Sequence, residues 1–239
     1  IPYWDKFVRR LTDAKYRVYV TGSNAKMLSK EVASTLGGRF FIYDAYPYSF
    51  KEYLAAQQVE LREHWEYDTI QRSEVKRHLN EYFYYGGLPE ILSFKNKRAM
   101  LSSLYQKIYL GDICARNNIK NDRVLNILIK KMAESVKQPL SYNRLKNVIV
   151  ATGSPISVPT TIDYADYAAD SWLILPMENE IGKLTEKEMQ KKYYFVDNGL
   201  LNLFLMNSET SLLKNMVEVE LCRRCGKKNV FFLNADKEI

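Results

Sequence analysis

Two short stretches carry the residue types that could do chemistry. The first is Val18-Tyr19-Val20-Thr21-Gly22-Ser23-Asn24, a β-branched and aromatic run that ends in small polar groups. A strand ending this way sets hydroxyls and amides at the carboxyl edge of a sheet, where open α/β folds bind ligands. Asn24 could orient a water there, and Ser23 and Asn24 could equally cap a following helix; the two roles coexist. The second is Leu36-Gly37-Gly38-Arg39-Phe40. An Arg after a Gly-Gly helix end can project a fixed guanidinium toward a neighbour's γ-phosphate, or stand exposed without a partner. Lys26 invites comparison with a phosphate loop, but the required Gly-Lys-Ser/Thr is missing, so no phosphate-wrapping turn is expected. Cys222-Arg223-Arg224-Cys225 lacks the second ligand pair a structural zinc needs, and His64 and His78 read as surface residues. The run Tyr82-Phe83-Tyr84-Tyr85 reads as core filling beside a helix end rather than as a base-stacking platform.

Composition bounds the elements that must hold these groups. With 46% hydrophobic residues and a net charge of only +7 over 239 residues, disorder is excluded. No apolar run reaches the ~20 residues of a membrane span, so no membrane partner is expected. Three cysteines give no disulfide framework, which points to a reducing compartment, the cytoplasm. The opening Ile-Pro-Tyr-Trp, without an initiator Met, reads as part of something longer.

Periodicity places a helix over Trp4 to Leu11, a strand at Tyr16 to Thr21, a helix through Leu36 and a second strand at Phe40 to Ala45, a βαβ arrangement. Helices follow at Phe50 to Gln58, at Ser73 to Tyr84 before Gly86-Gly87-Leu88-Pro89, and around Met100 to Ile108. Three stripes come next: Val124, Leu125, Leu128, Ile129 and Met132; Leu145, Val148 and Ile149; and Val158, Ile162, Ala165, Ala169 and Trp172. Strands Leu173 to Met177 and Lys192 to Val196, joined by a charged turn at Lys183 to Lys187, complete the outline of a winged helix. The last piece reads as an Asp197-Asn198-Gly199 turn, a helix over Ser211 to Arg224 and a strand over Asn229 to Leu233.

In order, Val18 to Leu28, Leu36 to Phe40, Tyr46-Pro47-Tyr48-Ser49-Phe50-Lys51-Glu52-Tyr53-Leu54 and Tyr85-Gly86-Gly87-Leu88-Pro89-Glu90 resemble predicted prokaryotic AAA+ ATPases that carry a C-terminal region of unknown function. The resemblance implies an α/β plus α+β chain. It comprises the C-terminal part of an AAA+ nucleotide-binding core over residues 1–48, a helical lid over 49–115, a winged-helix domain over 116–198 and the start of a nuclease-like domain over 199–239. It implies that Asn24 senses the γ-phosphate in cis and that Arg39 serves as an arginine finger in trans if subunits assemble as a homo-oligomer. ATP and Mg would be cofactors of the intact protein. This chain, without the phosphate loop, is expected to need none and to catalyse nothing. Glu220 and Glu238 would be vestigial nuclease acids, although Leu213-Lys214-Asn215 departs from the family's Leu-Glu-Asn. No Arg in Tyr85 to Glu90 offers a second sensor. The rival expectation is a winged-helix module that contacts nucleic acid or protein without hydrolysis. Lys183, Lys187, Lys191 and Lys192 could touch a phosphate backbone, but Asp163, Asp166 and Asp170 on the third helix oppose DNA docking.

Overall fold

Side-chain caps mark where most helices begin. A computed structural model describes residues 4–22, 40–206 and 208–233. Helix α1 spans Trp4–Asp13. Helix α2, Phe50–Ala56, starts in a capping box: the Ser49 amide donates to Glu52 Oε2 at 2.8 Å and the Glu52 amide donates to Ser49 Oγ at 3.3 Å. Asp68 caps α3, Thr69–Tyr85, by accepting from the Ile70 and Gln71 amides. That helix stops at Gly86, whose φ of 77° favours glycine. Asn96 caps α4, Lys97–Gln106, which runs on as a wider π-helical coil over Lys107–Ala115.

The next elements are α5 (Asp122–Glu134), β1 (Leu140–Ser141), α6 (Tyr142–Ala151), α7 (Val158–Asp170), β2 (Ile174–Met177), α8 (Leu184–Met189) and β3 (Gln190–Phe195). The three strands form an antiparallel sheet of order β1-β3-β2, with Leu140 opposite Lys191 and Ile174 opposite Phe195. The α5 stripe is buried as its spacing predicts. On α7 the deepest residues are Thr161, Ala165 and Ala168, while Val158, Ile162, Ala169 and Trp172 pack half-buried at the edge of the core. Small residues sit where the helix approaches most closely, so the buried stripe is rotated from the expected one. The expected charged turn at Lys183 to Lys187 is instead part of α8, whose N3 residue Glu186 accepts the Lys183 amide at 3.0 Å. Helices α9 (Asn198–Asn202) and α10 (Glu209–Cys225) follow, and a 3-10 turn spans Lys227–Asn229.

Three strand expectations fail. Residues 16–22 and 40–45 belong to no ladder. A strand is completed by a hydrogen-bonded neighbour, and among the described residues neither segment has one, so Tyr19, Phe41 and Tyr43 are each more than 80% exposed. The βαβ reading is therefore not realised in the described residues, and its helix, from Ser23 to Leu36, lies outside them. At the other end, Asn229 to Leu233 contributes only a parallel bridge between Phe232 and Asn179. The main core runs from Ile91 to Phe232, and a smaller cluster gathers Tyr53, Leu54 and Tyr82. No helix among the described residues is long and apolar enough to cross a membrane.

One clasp joins α3 to β3 and α9. Asp197, which caps α9, accepts the Gly87 amide on Oδ2 and the Gly199 amide on Oδ1, both at 2.8 Å. Asn198 donates to the Phe83 carbonyl at 2.9 Å and Asn202 to the Tyr84 carbonyl at 2.9 Å, which satisfies carbonyls in the last turn of α3. Fully buried Asn215 of α10 accepts from the Phe195 amide at 2.7 Å and donates to the Phe195 carbonyl and to Asn198 Oδ1. The α9 backbone approaches that of α3 so closely that a Cβ on Gly199 would lie 2.2 Å from the Tyr85 carbonyl oxygen, and the Asp197 carboxylate sits so close to Gly86 that a Cβ there would lie 1.9 Å from Oδ1. Burial pushes the Asp197 carboxyl up to about 6, against the opposing pull of the amides and of Arg223.

Four outcomes are expected from the clasp and from the exposed segment 40–45. Gly199→Ala should cost about 3 kcal/mol in urea unfolding, because backbone must move, whereas Gly153→Ala, strained in φ but in open space, should cost only about 1 kcal/mol. An acid whose folded pKa is raised stabilises fully below its unfolded value and loses that contribution as pH rises through the folded one. Wild type should thus lose up to about 3 kcal/mol through Asp197 between pH 4 and pH 7. Asp197→Asn, which turns a donor toward an amide, should be less stable than wild type at pH 5 by about 2 kcal/mol, and this gap should narrow by pH 7. A widening gap would refute the assignment. The exposed aromatic residues of 40–45 should make the chain self-associate, with scattering mass rising with concentration and falling back in Phe41→Lys/Tyr43→Lys; a concentration-independent monomer would contradict it.

Candidate functional site

Of the residues singled out for nucleotide chemistry, Asn24 and Arg39 lie outside the described residues, as does Glu238. Glu220 lies on α10 and accepts from Arg223 and, at 2.7 Å, from Arg224. Two guanidinium groups thus occupy the carboxylate that the nuclease-like reading would give to a metal. Among the described residues no group of three acidic, His or Cys side chains could hold a metal ion.

The four lysines divide. Lys183 is exposed and Lys187 half-buried on α8. Lys191 is ion-paired with Glu178 at 3.4 Å, and the Lys192 ammonium stands 4.8 Å from the Phe232 ring centroid, its pKa lowered by burial and by nearby Lys214. Asp163 and Asp166 are exposed on α7. The surface that a DNA-reading helix would offer is thus acidic, and half of the expected phosphate contacts are used internally.

Cys222 is buried and its thiol is pushed up to about 12, chiefly by that burial, while Cys225 is exposed. His78 corrects the surface reading: it is 5% exposed, packs edge-on to the Tyr53 ring, and has its pKa lowered by burial. It shares the buried stripe of α3 with Val75 and Tyr82. His64 is exposed, as its polar surroundings suggest.

The structure also brings together a junction that motif spacing alone did not reveal. Residues 44–53 run against α3, the Gly86-Gly87 turn and the end of α10. Tyr48 donates its amide to the Gly87 carbonyl at 2.8 Å and accepts the Tyr82 hydroxyl on its own carbonyl at 2.8 Å. Arg223 Nη2 donates to the Pro47 carbonyl at 2.7 Å, with its guanidinium 5.8 Å from the Tyr46 ring centroid. Tyr46 meets Trp172 edge-on at 5.5 Å, and Lys227 lies 4.3 Å from the Trp172 ring centroid and 3.6 Å from the Asp44 carboxylate. Pro47, Tyr82, Gly86, Asp197, Met216 and Arg223 help line a cavity of roughly 20 Å³, about one water's worth. The turn residues Gly86-Gly87 and Asp197-Asn198-Gly199 were the available signal, since each demands a close partner; nothing in the sequence said that they meet each other.

Comparison with known proteins divides the chain at this junction. Residues 1–54 match an AAA domain, an ATPase-like region. An uncharacterized protein of Methanocaldococcus jannaschii is 31% identical over 237 residues, covering 96% of this chain and 53% of the relative. An uncharacterized protein of Haemophilus influenzae is 30% identical over 228 residues, covering 92% of this chain and 55% of the relative. The chain therefore spans about half the length of the curated relatives it matches. No solved structure matches significantly. Residues 76–211, more than half of the sequence, match the domain of unknown function DUF8612, and the chain belongs to that family.

Proposed function

We propose that this chain is part of an AAA-type ATPase in which ATP binding and hydrolysis move the helical and winged-helix region built on residues 50–225. The observation that carries the reading is the AAA-domain match over residues 1–54. It contains both Asn24 and Arg39, and it ends on the segment bolted to α3 and α10. The order α5, β1, α6, α7, β2, α8, β3 with its β1-β3-β2 sheet supports the winged-helix reading of 116–198. The exposed Asp163 and Asp166 and the internally paired Lys191 favour a protein contact for that unit over DNA.

In the intact protein ATP and Mg would be bound by a phosphate loop that this sequence does not contain, and turnover is assigned to that longer protein. Asn24 would polarise or position the attacking water in its own subunit. Arg39 would enter the neighbour's site and stabilise charge developing on the transferred phosphoryl group. A protein of the relatives' full length carrying this sequence should hydrolyse ATP, and Arg39→Ala should reduce assembled turnover by about 100-fold or more while leaving nucleotide affinity nearly unchanged. Because the finger acts across subunits, mixing Arg39→Ala with Asn24→Ala subunits should restore part of the rate. Equal turnover in Arg39→Ala, or no recovery on mixing, would remove the trans assignment.

A further inference from the structure

We propose that Arg223 is a positioning residue: the strut through which movement of the AAA-matching segment reaches α10 and, from it, β3. The inference rests on the ATPase reading above and names the joint by which that domain would act.

Arg223 lies on the last turn of α10, 176 positions from Pro47, and its side chain is only 18% exposed. Its planar fork serves two partners. Nη1 donates to Glu220, one turn earlier on the same helix, which holds the guanidinium in place. Nη2 is left to take the Pro47 carbonyl at 2.7 Å. The pyrrolidine ring at Pro47 fixes φ and offers no amide, so this carbonyl is the backbone handle that the residue presents. The guanidinium carbon stands 5.8 Å from the Tyr46 ring centroid, and Lys227 with Asp44 adds a second tie. A lysine could supply the charge but not two fixed donors in one plane.

The far side of the same helix is tied as firmly. Asn215 is two helical turns before Arg223, about 12 Å along the axis. It exchanges a pair of hydrogen bonds with Phe195 at the end of β3 and a third with Asn198. Segment 44–47, Arg223, α10, Asn215 and β3 therefore form one continuous load path of hydrogen bonds and a rigid helix. Tyr48 is also held by Gly87 and Tyr82, so loss of Arg223 would leave 44–47 to the Lys227–Asp44 and Tyr46–Trp172 contacts, loosened, while α2 stays seated on α3.

Paired nitroxides at Ala45→Cys and Glu188→Cys, in a Cys225→Ser background, test the strut in the 239-residue chain. The wild-type distance distribution should be narrow. Arg223→Ala should broaden it and free the label at 45, Arg223→Lys should fall between, and the thermal unfolding midpoint should change little. A distribution that stays narrow in Arg223→Ala, or one that broadens only together with general unfolding, would overturn the proposal. In protein of the relatives' length, a non-hydrolysable ATP analogue should alter amide exchange at 193–196 in wild type and leave it unaltered in Arg223→Ala. Transmission that persists in Arg223→Ala would also overturn it. A wild type that does not respond to the analogue, with the distance result upheld, would sink the ATPase reading and leave the strut standing.

Discussion

Everything in the middle of this molecule depends on one buried carboxylate taking two backbone amides. Asp197 closes a ring of 110 residues by bonding Gly87, and caps α9 by bonding Gly199. Bringing such distant segments together costs little more than closing a ring half as long, since the entropy grows only logarithmically, by about 0.6 kcal/mol per doubling. The demanding part is shape. Gly87 and Gly199 stand where backbone meets backbone with no room for a Cβ, and Gly86 where the Asp197 carboxylate leaves none. A carboxyl oxygen accepts from each of two converging N–H groups, which a side-chain amide with one acceptor oxygen cannot do, and those bonds offset only part of the carboxylate's desolvation.

Charge is likewise spent inside the fold. The surplus of +7 could be read as a footprint for a polyanion. Yet Lys97 is paired with Glu81 at 2.7 Å, Lys191 with Glu178, and Lys227 with Asp44, while Lys192 lies over Phe232. On α7, the helix that a winged-helix reading would turn toward DNA, the exposed charges include acidic Asp163 and Asp166. A global count thus says little about partners when the cations act as local ties.

Local signals decided which parts of the fold could be read in advance. Helices announce themselves by a 3.6-residue period and by caps such as Ser49 and Asp68, both of which are properties of neighbouring residues. The antiparallel pair β2 and β3 was legible because its two runs are close in sequence and both inward-facing. Tyr16 to Thr21 and Phe40 to Ala45 are likewise rich in β-branched and aromatic residues, but a strand is a relationship with a neighbour, and composition does not supply one. His78 was misread because its polar character outweighed its position, three residues after Val75 and four before Tyr82 on a buried face. Asn24 and Arg39 rest on motif resemblance alone.

The junction was the least legible part, and the reason is instructive about where function can hide. Its Asp44 to Tyr53 side falls within the AAA match, and Tyr82, Gly87 and Asp197 fall within the DUF8612 match. Arg223 and Lys227 fall in neither. The contacts that lock the two matched regions together are completed by the last turn of α10, beyond both. Family models weigh residues by recurrence within one aligned stretch, whereas a mechanical joint is defined by contact across stretches. A long helix with a buried polar anchor at Asn215 and a forked cation two turns later has the stiffness and the end groups a lever needs. An arrangement that served only to bury apolar surface would not require the second of those groups.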